Sequence, residues 1–87
     1  MTRAELKEIL QKNSKESRRY YRLYPCLYRD LMLWDDYLQC IANYREKKYR
    51  AAMNFARYDV CAEYGISEKS FYSLRRTLKE LCEDLIF

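Results

Sequence analysis

The sequence lacks histidine, contains only one glycine and one proline, and has no apolar run of 18 residues. Without histidine the commonest general base of enzymes is missing, and a single glycine cannot build a phosphate-binding loop. Without a long apolar run, no transmembrane helix is expected. We therefore expect a protein that is not an enzyme, carries no cofactor and does not enter a membrane.

Two further absences concern the compartment and metal binding. Charged side chains interrupt the first residues, where a signal peptide would need an apolar segment, so a cytoplasmic location is expected. The cysteines form no C-x-x-C pair, and no histidine is present to complete a zinc site. We expect buried free thiols in a reducing cytosol, and no metal site, for Cys26, Cys40, Cys61 and Cys82.

Length and composition predict the fold class. Eighty-seven residues suffice for one domain, which we expect to span residues 1–87. Abundant Leu, Arg, Lys, Glu and Ala, together with few turn-forming residues, favour helix. The expected architecture is all-α, a compact bundle of four or five helices with a C-terminal helix-turn-helix. Residues 1–48 would hold basic and long helices, and residues 49–87 the helix-turn-helix region.

Local signals place the first helices. Thr2 and Glu5 have the spacing of a capping box, so a helix is expected to begin after Thr2. The polar run 12–17 either ends this helix or continues its exposed face. Pro25 disfavours helix at Tyr24 and suits the first turn of the next helix. Apolar residues then recur at three- and four-residue spacing, which predicts a long helix to the mid-forties that buries Leu27, Leu31, Trp34, Leu38 and Ile41.

Further helical segments are expected after residue 48. A segment around residues 49–55 is predicted to bury Tyr49, Ala52, Met53 and Ala56. The C-terminal segment carries an apolar stripe at three-four spacing, formed by Phe71, Leu74, Leu78, Leu81 and Leu85. This stripe either packs on the helices of its own domain, which we favour, or pairs two copies of the chain in a homodimer.

Residues 58–76 have the pattern of a helix-turn-helix, which needs a short helix, a tight turn and a second helix directly after it. Gly65 can adopt the left-handed conformation that ends the first helix, expected to be about two turns long. Ser67 is a strong N-cap for the second helix. The residues predicted to face the core are Val60, Cys61, Tyr64, Ile66, Phe71 and Leu74. The alternative is an ordinary helix corner within a bundle.

In a DNA-binding helix-turn-helix, the N-terminal part of the second helix enters the major groove. Lys69 or Arg76 would donate to guanine O6 and N7, and Glu68 would accept from cytosine N4. Tyr72 would contact a sugar or a thymine methyl group, while hydroxyl and guanidinium groups would hold phosphates. The predicted DNA-binding residues are Ser67, Glu68, Lys69, Tyr72, Ser73, Arg75 and Arg76.

Residues 60–76, VCAEYGISEKSFYSLRR, resemble the helix-turn-helix of phage late-transcription regulators of the ArpU-like and RinA-like kind. That motif in turn resembles the promoter-reading domain of sigma factors. The resemblance covers about the last thirty residues. It implies a phage or prophage regulator that binds duplex promoter DNA, with RNA polymerase or another host protein as a further candidate partner. The residues that match the pattern are Gly65, Ile66, Ser67, Ser70 and either Arg75 or Arg76.

The charge distribution leaves a second function open. The net charge is +4, which suits nucleic acid, but residues 1–29 carry eight cations and three anions whereas residues 61–87 carry four cations and five anions. Arg18, Arg19 and Arg22, interleaved with tyrosines, would therefore supply phosphate contacts to DNA. Alternatively this surface binds a host protein, and the chain is a small phage-encoded interaction module or inhibitor. A third interpretation is a solvated basic face with its tyrosines folded back on the core.

Overall fold

A computed structural model of the protein describes residues 1–85, which form five helices and, within that range, no strand. The all-α prediction is confirmed, as is the prediction of four or five helices. The fold measures 45 × 23 × 19 Å along its principal axes. The helices are α1 (Arg3–Gln11), α2 (Lys15–Leu23), α3 (Leu27–Glu46), α4 (Ala52–Tyr64) and α5 (Glu68–Leu81).

The first two helices begin at reciprocal side-chain caps. The Thr2 hydroxyl accepts from the Glu5 N–H at 3.2 Å, and the Glu5 carboxylate accepts from the Thr2 N–H at 3.0 Å, as the capping box predicts. The polar run 12–17 ends α1, because Ser14 and Ser17 form a second box. The Ser14 Oγ accepts from the Ser17 N–H at 3.1 Å, and the Ser17 Oγ accepts from the Ser14 N–H at 3.2 Å.

The core is built around α3. Trp34 and Tyr37 on this helix contact Phe71 of α5, with ring centroids 5.8 and 5.0 Å apart, and this pairing fixes α5 to the middle of α3. The long helix expected to reach the mid-forties is confirmed, although Leu38 is only partly buried. The C-terminal stripe packs within its own domain. Its residues Phe71, Leu74 and Leu78 are buried, and Leu81 and Leu85 pack against the same core.

Helix α4 ends at a glycine in the left-handed conformation, as predicted. Gly65 has a φ of 64°, and its N–H donates to the Ala62 carbonyl at 3.4 Å. The Ile66 N–H donates to the Cys61 carbonyl at 3.0 Å. These two bonds define a Schellman motif, which satisfies the last carbonyls of α4 and turns the chain toward α5.

Helix α3 ends in the same motif without a glycine. Lys48 has a φ of 63° and is the non-glycine residue with positive φ among residues 1–85. Its N–H donates to the Arg45 carbonyl at 2.9 Å, and the Tyr49 N–H donates to the Tyr44 carbonyl at 3.0 Å. The rings of Tyr44 and Tyr49 lie 5.5 Å apart, which is the apolar contact that accompanies this motif.

Four predictions about helix boundaries and burial are wrong. Pro25 lies in the turn before Cys26, the N-cap of α3, and not in the first turn of that helix. No separate helix covers residues 49–55, and the first helix of the predicted helix-turn-helix is not two turns long, because α4 runs unbroken from Ala52 to Tyr64. Tyr49 and Met53 are exposed, since α4 buries Ala52, Ala56 and Val60 at four-residue spacing.

The cysteine side chains are free, but not all of them are buried. Cys82 is buried and Cys40 and Cys61 are partly buried, whereas Cys26 is exposed at the start of α3, contrary to the prediction. Burial raises the pKa of the Cys40, Cys61 and Cys82 thiols, so these groups are protonated at neutral pH. Among residues 1–85, no helix is both long and apolar enough to span a bilayer.

Candidate nucleic-acid interface

The buried residues of α5 determine which of its side chains are exposed. Phe71, Leu74 and Leu78 are buried in the core and lie on one side of the helix. Helical geometry places residues about half a turn away on the opposite side. The exposed residues there are Lys69, Tyr72, Ser73, Arg76, Lys79 and Glu80.

The N-terminus of α5 is fixed by Ser67, which is its N-cap as predicted. The Ser67 Oγ accepts from the Ser70 N–H at 3.1 Å and lies 3.0 Å from the Ser70 Oγ. The cap satisfies one of the N–H groups that a helix leaves unpaired at its start. The hydroxyl of Ser67 is therefore engaged in the helix, although the residue is exposed.

Glu68 is held by a residue that sequence reasoning did not identify. Its Oε1 lies 2.9 Å from the Nε of Arg57 on α4, and the Arg57 side chain is only 14% exposed. The Arg57 guanidinium also lies 5.6 Å from the ring centroid of Tyr72 and 5.1 Å from that of Tyr58. Arg57 thus connects α4 to two of the predicted DNA-binding residues. No sequence signal links positions 57 and 68, because only the turn at Gly65 brings them together.

A second cation borders the exposed face of α5. Arg29, in the first turn of α3, lines a shallow groove together with Lys69, Ser73 and Thr77. Its guanidinium forms an ion pair with Asp30 at 2.9 Å. Burial raises the pKa of the Asp30 carboxyl above its ordinary value, and the hydrogen bond from Arg29 opposes this rise. Arg29 was not among the predicted site residues.

On the other side of the exposed face, Tyr72 and three cations line a broad depression. Its members are Tyr72, Arg75, Arg76 and Lys79. Arg76 is exposed, whereas Arg75 is partly buried at the edge of the face. The predicted DNA-binding residues of α5 therefore lie on one surface, with Arg75 at its boundary and Glu68 paired to Arg57.

The acidic residues at the C-terminal end of α5 are directed toward α1. The Asp84 carboxylate lies 3.5 Å from the Nε of Arg3, and the Glu83 carboxylate lies 3.9 Å from the N-terminal ammonium. These ion pairs offset the negative charge that the composition of residues 61–87 shows. The C-terminal half of α5 carries more positive charge, with Arg75, Arg76 and Lys79 against Glu80, than the N-terminal half, where Glu68 offsets Lys69.

Helix α2 forms a second basic surface. Its cations Lys15, Arg18, Arg19 and Arg22 line one groove and are exposed, and exposed Leu23 follows them. Tyr20, Tyr21 and Tyr24 pack against the core instead. Helix α2 ends four residues before α3 begins, which limits the separation between Leu23 and Leu27 to about 14 Å. The chain thus joins the α2 surface to the helix that carries Arg29.

Comparisons of this chain with protein-family models, curated proteins and solved structures find no match.

Proposed function

We propose that the protein is a sequence-specific, DNA-binding transcription regulator in which α4, the Gly65 turn and α5 act as a helix-turn-helix. The observation that carries the proposal is the exposed face of α5, on which Lys69, Tyr72, Ser73 and Arg76 are aligned. From Lys69 to Arg76 these side chains cover about 10 Å of helix length. An α-helix with its side chains is about 10–12 Å in diameter and so fits a major groove about 12 Å wide.

The proposed contacts follow from the chemistry of each side chain. Lys69 and Arg76 donate to guanine O6 and N7, and one bidentate contact of this kind provides about 1–3 kcal/mol of discrimination. Tyr72 contacts a sugar or a thymine methyl group. Ser73 and Arg75 hold phosphates, and the cap at Ser67 orients the start of the helix toward them. Because Arg57 pairs with Oε1 of Glu68, it is the other carboxylate oxygen of Glu68 that accepts from cytosine N4.

The basic surface of α2 is proposed to add phosphate contacts to those of α5. Arg18, Arg19 and Arg22 are exposed, and each phosphate they neutralise steepens the logarithmic salt dependence of binding by about 0.9. Because the apolar stripe of α5 is occupied within the domain, a homodimer on two half-sites would need a different pairing surface. The resemblance of residues 60–76 to phage late-transcription regulators supports a phage or prophage origin for the proposed regulator.

One observation favours a second candidate function. The α2 surface concentrates four exposed cations beside an exposed leucine, Leu23, which is 65% exposed. A host protein with an acidic surface is a suitable partner for it. In that case the chain is an interaction module or inhibitor, and α5 serves only as scaffold.

The test is binding of the purified full-length protein to a fluorescent library of duplexes from its own genomic neighbourhood, at two salt concentrations. The regulator proposal expects saturable, sequence-selective binding that weakens as salt rises. Binding that is absent, or that is weak and indifferent to sequence, would refute it and favour the interaction module.

A further inference from the structure

Three aromatic rings form an exposed cluster where α3 ends and α4 begins. The Tyr44 ring lies 5.5 Å from both the Tyr49 ring and the Phe55 ring, and the latter two are 5.7 Å apart. Tyr49 is 50% exposed and Phe55 is 43% exposed. We call these three residues, together with the loop 47–51, the aromatic tip. A cluster of large apolar rings left exposed on a small domain is typical of an interaction site.

The tip is held in place before any partner binds. The Tyr49 N–H donates to the Tyr44 carbonyl within the Schellman motif, and the Tyr44 hydroxyl donates to the Asp59 carboxylate. Lys48 occupies the left-handed position of this motif at a cost that glycine would avoid. Preorganised rings lose little conformational entropy on binding, which favours affinity.

The surroundings of the tip are positively charged. Residues 45–50 contain four basic residues and one acidic residue. Lys47, Lys48 and Arg50 are exposed next to the rings. An apolar centre with a basic rim is complementary to an acidic segment that carries large apolar side chains.

A groove beside the rings supplies an anchoring position. It has a volume of about 190 Å³ and is lined by Cys40, Asn43, Tyr44, Lys47 and Asp59. Pockets for whole small molecules are larger, at about 300–1,000 Å³. The groove therefore suits a single side chain of a larger partner.

The ring spacing excludes a nucleic-acid base held between two of the rings. To hold a base between two rings, their planes must be about 7 Å apart, twice the 3.4 Å rise per base. The centroids of the tip are closer than this and most of the rings meet edge to face. The three rings pack against one another and leave no gap between them that could hold a base.

We propose that the aromatic tip binds an acidic peptide segment of a partner protein, with one apolar side chain of the segment in the groove. The tip lies at the opposite end of α4 from α5, about 18 Å along a helix of this length. The proposal is therefore independent of DNA binding by α5, and both surfaces can be occupied in one complex.

The test is selection of random displayed peptides on the immobilised full-length protein. Selected peptides are expected to be net negative, to carry large apolar residues and to bind in solution. Their affinity should fall about tenfold or more, equivalent to 1.4 kcal/mol, in the double variant Tyr49→Ser with Phe55→Ser. That double variant removes part of the helix cap. The second variant is therefore Lys47→Glu with Arg50→Glu, and Lys12→Glu with Lys79→Glu is its charge-matched control.

Loss of affinity in the rim variant but not in the control would support the proposal. It would be overturned by a failure to enrich any peptide, by enrichment of neutral or basic peptides, or by equal binding to the rim variant. Binding of oligo(dT) that the Tyr49→Ser, Phe55→Ser variant loses would assign the tip to nucleic acid. Concentration-dependent dimerisation that the same variant loses would assign it to a second copy.

Discussion

The Nε of Arg57 and the Oε1 of Glu68 lie 2.9 Å apart across the turn that separates α4 from α5. The Arg57 side chain is largely buried, whereas Glu68 is about half exposed. Tyr58 and Tyr72 flank the same guanidinium within cation–π distance. This arrangement fixes the first turn of α5, the part proposed to enter the major groove, against α4.

The first prediction concerns this ion pair. Arg57→Gln should lower the free energy of unfolding by about 1–3 kcal/mol, because the ion pair contributes about 0–1 kcal/mol and each of the two cation–π contacts about 0.5–1 kcal/mol. Glu68→Gln alone should cost less than about 1 kcal/mol. Urea unfolding measures both, with Arg50→Gln in the exposed loop as the control. Equal stability of Arg57→Gln and the control would contradict this role.

The second prediction uses the two left-handed positions as a matched pair. Gly65→Ala should lower the free energy of unfolding by about 1–2 kcal/mol, which is the cost of the left-handed backbone conformation for alanine. The added Cβ causes no clash, because no heavy atom lies within 4 Å of it at this φ of 64°. Lys48→Gly should raise stability by up to about 1 kcal/mol for the opposite reason. Urea unfolding of both variants gives the comparison. If Gly65→Ala leaves the free energy of unfolding unchanged, or if Lys48→Gly lowers it, the left-handed conformations of these two residues are not retained in solution.

The third prediction is a pH dependence at Tyr64. The Tyr64 hydroxyl donates to the Asp36 carboxylate, and this hydrogen bond raises the pKa of Tyr64 to about 12 from 10.0. A raised pKa in the folded state means that the stabilisation is fully present below about pH 10 and is lost as the pH rises through about 12. Tyr64→Phe should therefore lower the free energy of unfolding by about 1 kcal/mol at neutral pH. Near pH 12 the variant and the wild type should be equally stable.

Absorbance titration of tyrosinate checks the same bond independently. The pKa values of Tyr37 and Tyr44 are also raised, by burial and by the hydrogen bond to Asp59 respectively. The wild type should therefore show late-ionising tyrosines that include Tyr64 near pH 12, and Asp36→Asn should shift Tyr64 alone toward its ordinary pKa. If the difference in free energy of unfolding between Tyr64→Phe and the wild type does not change with pH, the hydrogen bond does not form.

The fourth prediction separates the two roles of α2. Arg18→Glu with Arg19→Glu should leave the fold intact, because both side chains are exposed. If both arginines neutralise phosphates, the logarithmic salt slope of duplex binding should become shallower by about 1.8. Fluorescence anisotropy over a salt series measures the slope, with Lys12→Glu and Lys47→Glu as the charge-matched control. An unchanged slope, together with loss of a protein partner, would favour the interaction module.

The sequence predicted the features that depend on neighbouring residues. The capping box of Thr2 and Glu5 and the cap at Ser67 each use residues three positions apart, so local chemistry decides them. Gly65 is the glycine of the chain, and its left-handed conformation ends α4 as expected. The apolar spacing of α3 and α5 likewise indicated which faces are buried.

The features that escaped prediction depend on contacts between helices. Tyr49 and Met53 are apolar enough for a core. The buried residues of α4 are instead Ala52, Ala56 and Val60, so both larger side chains are exposed. The left-handed Lys48 carries no glycine signal. The Arg57–Glu68 pair joins residues eleven positions apart on two different helices, beyond the three- and four-residue spacings that bring side chains together within one helix.

The most direct test of the central claim compares duplex binding by three proteins: the wild type, Lys69→Ala with Arg76→Ala, and the charge-matched control Lys12→Ala with Lys47→Ala. Each is titrated against the selected duplex and a scrambled one, with folding checked by circular dichroism. The account predicts that the α5 variant loses about tenfold or more in affinity, together with its preference for the selected duplex, while the control keeps that preference. A folded α5 variant that retains both affinity and preference would contradict the proposal that α5 reads DNA.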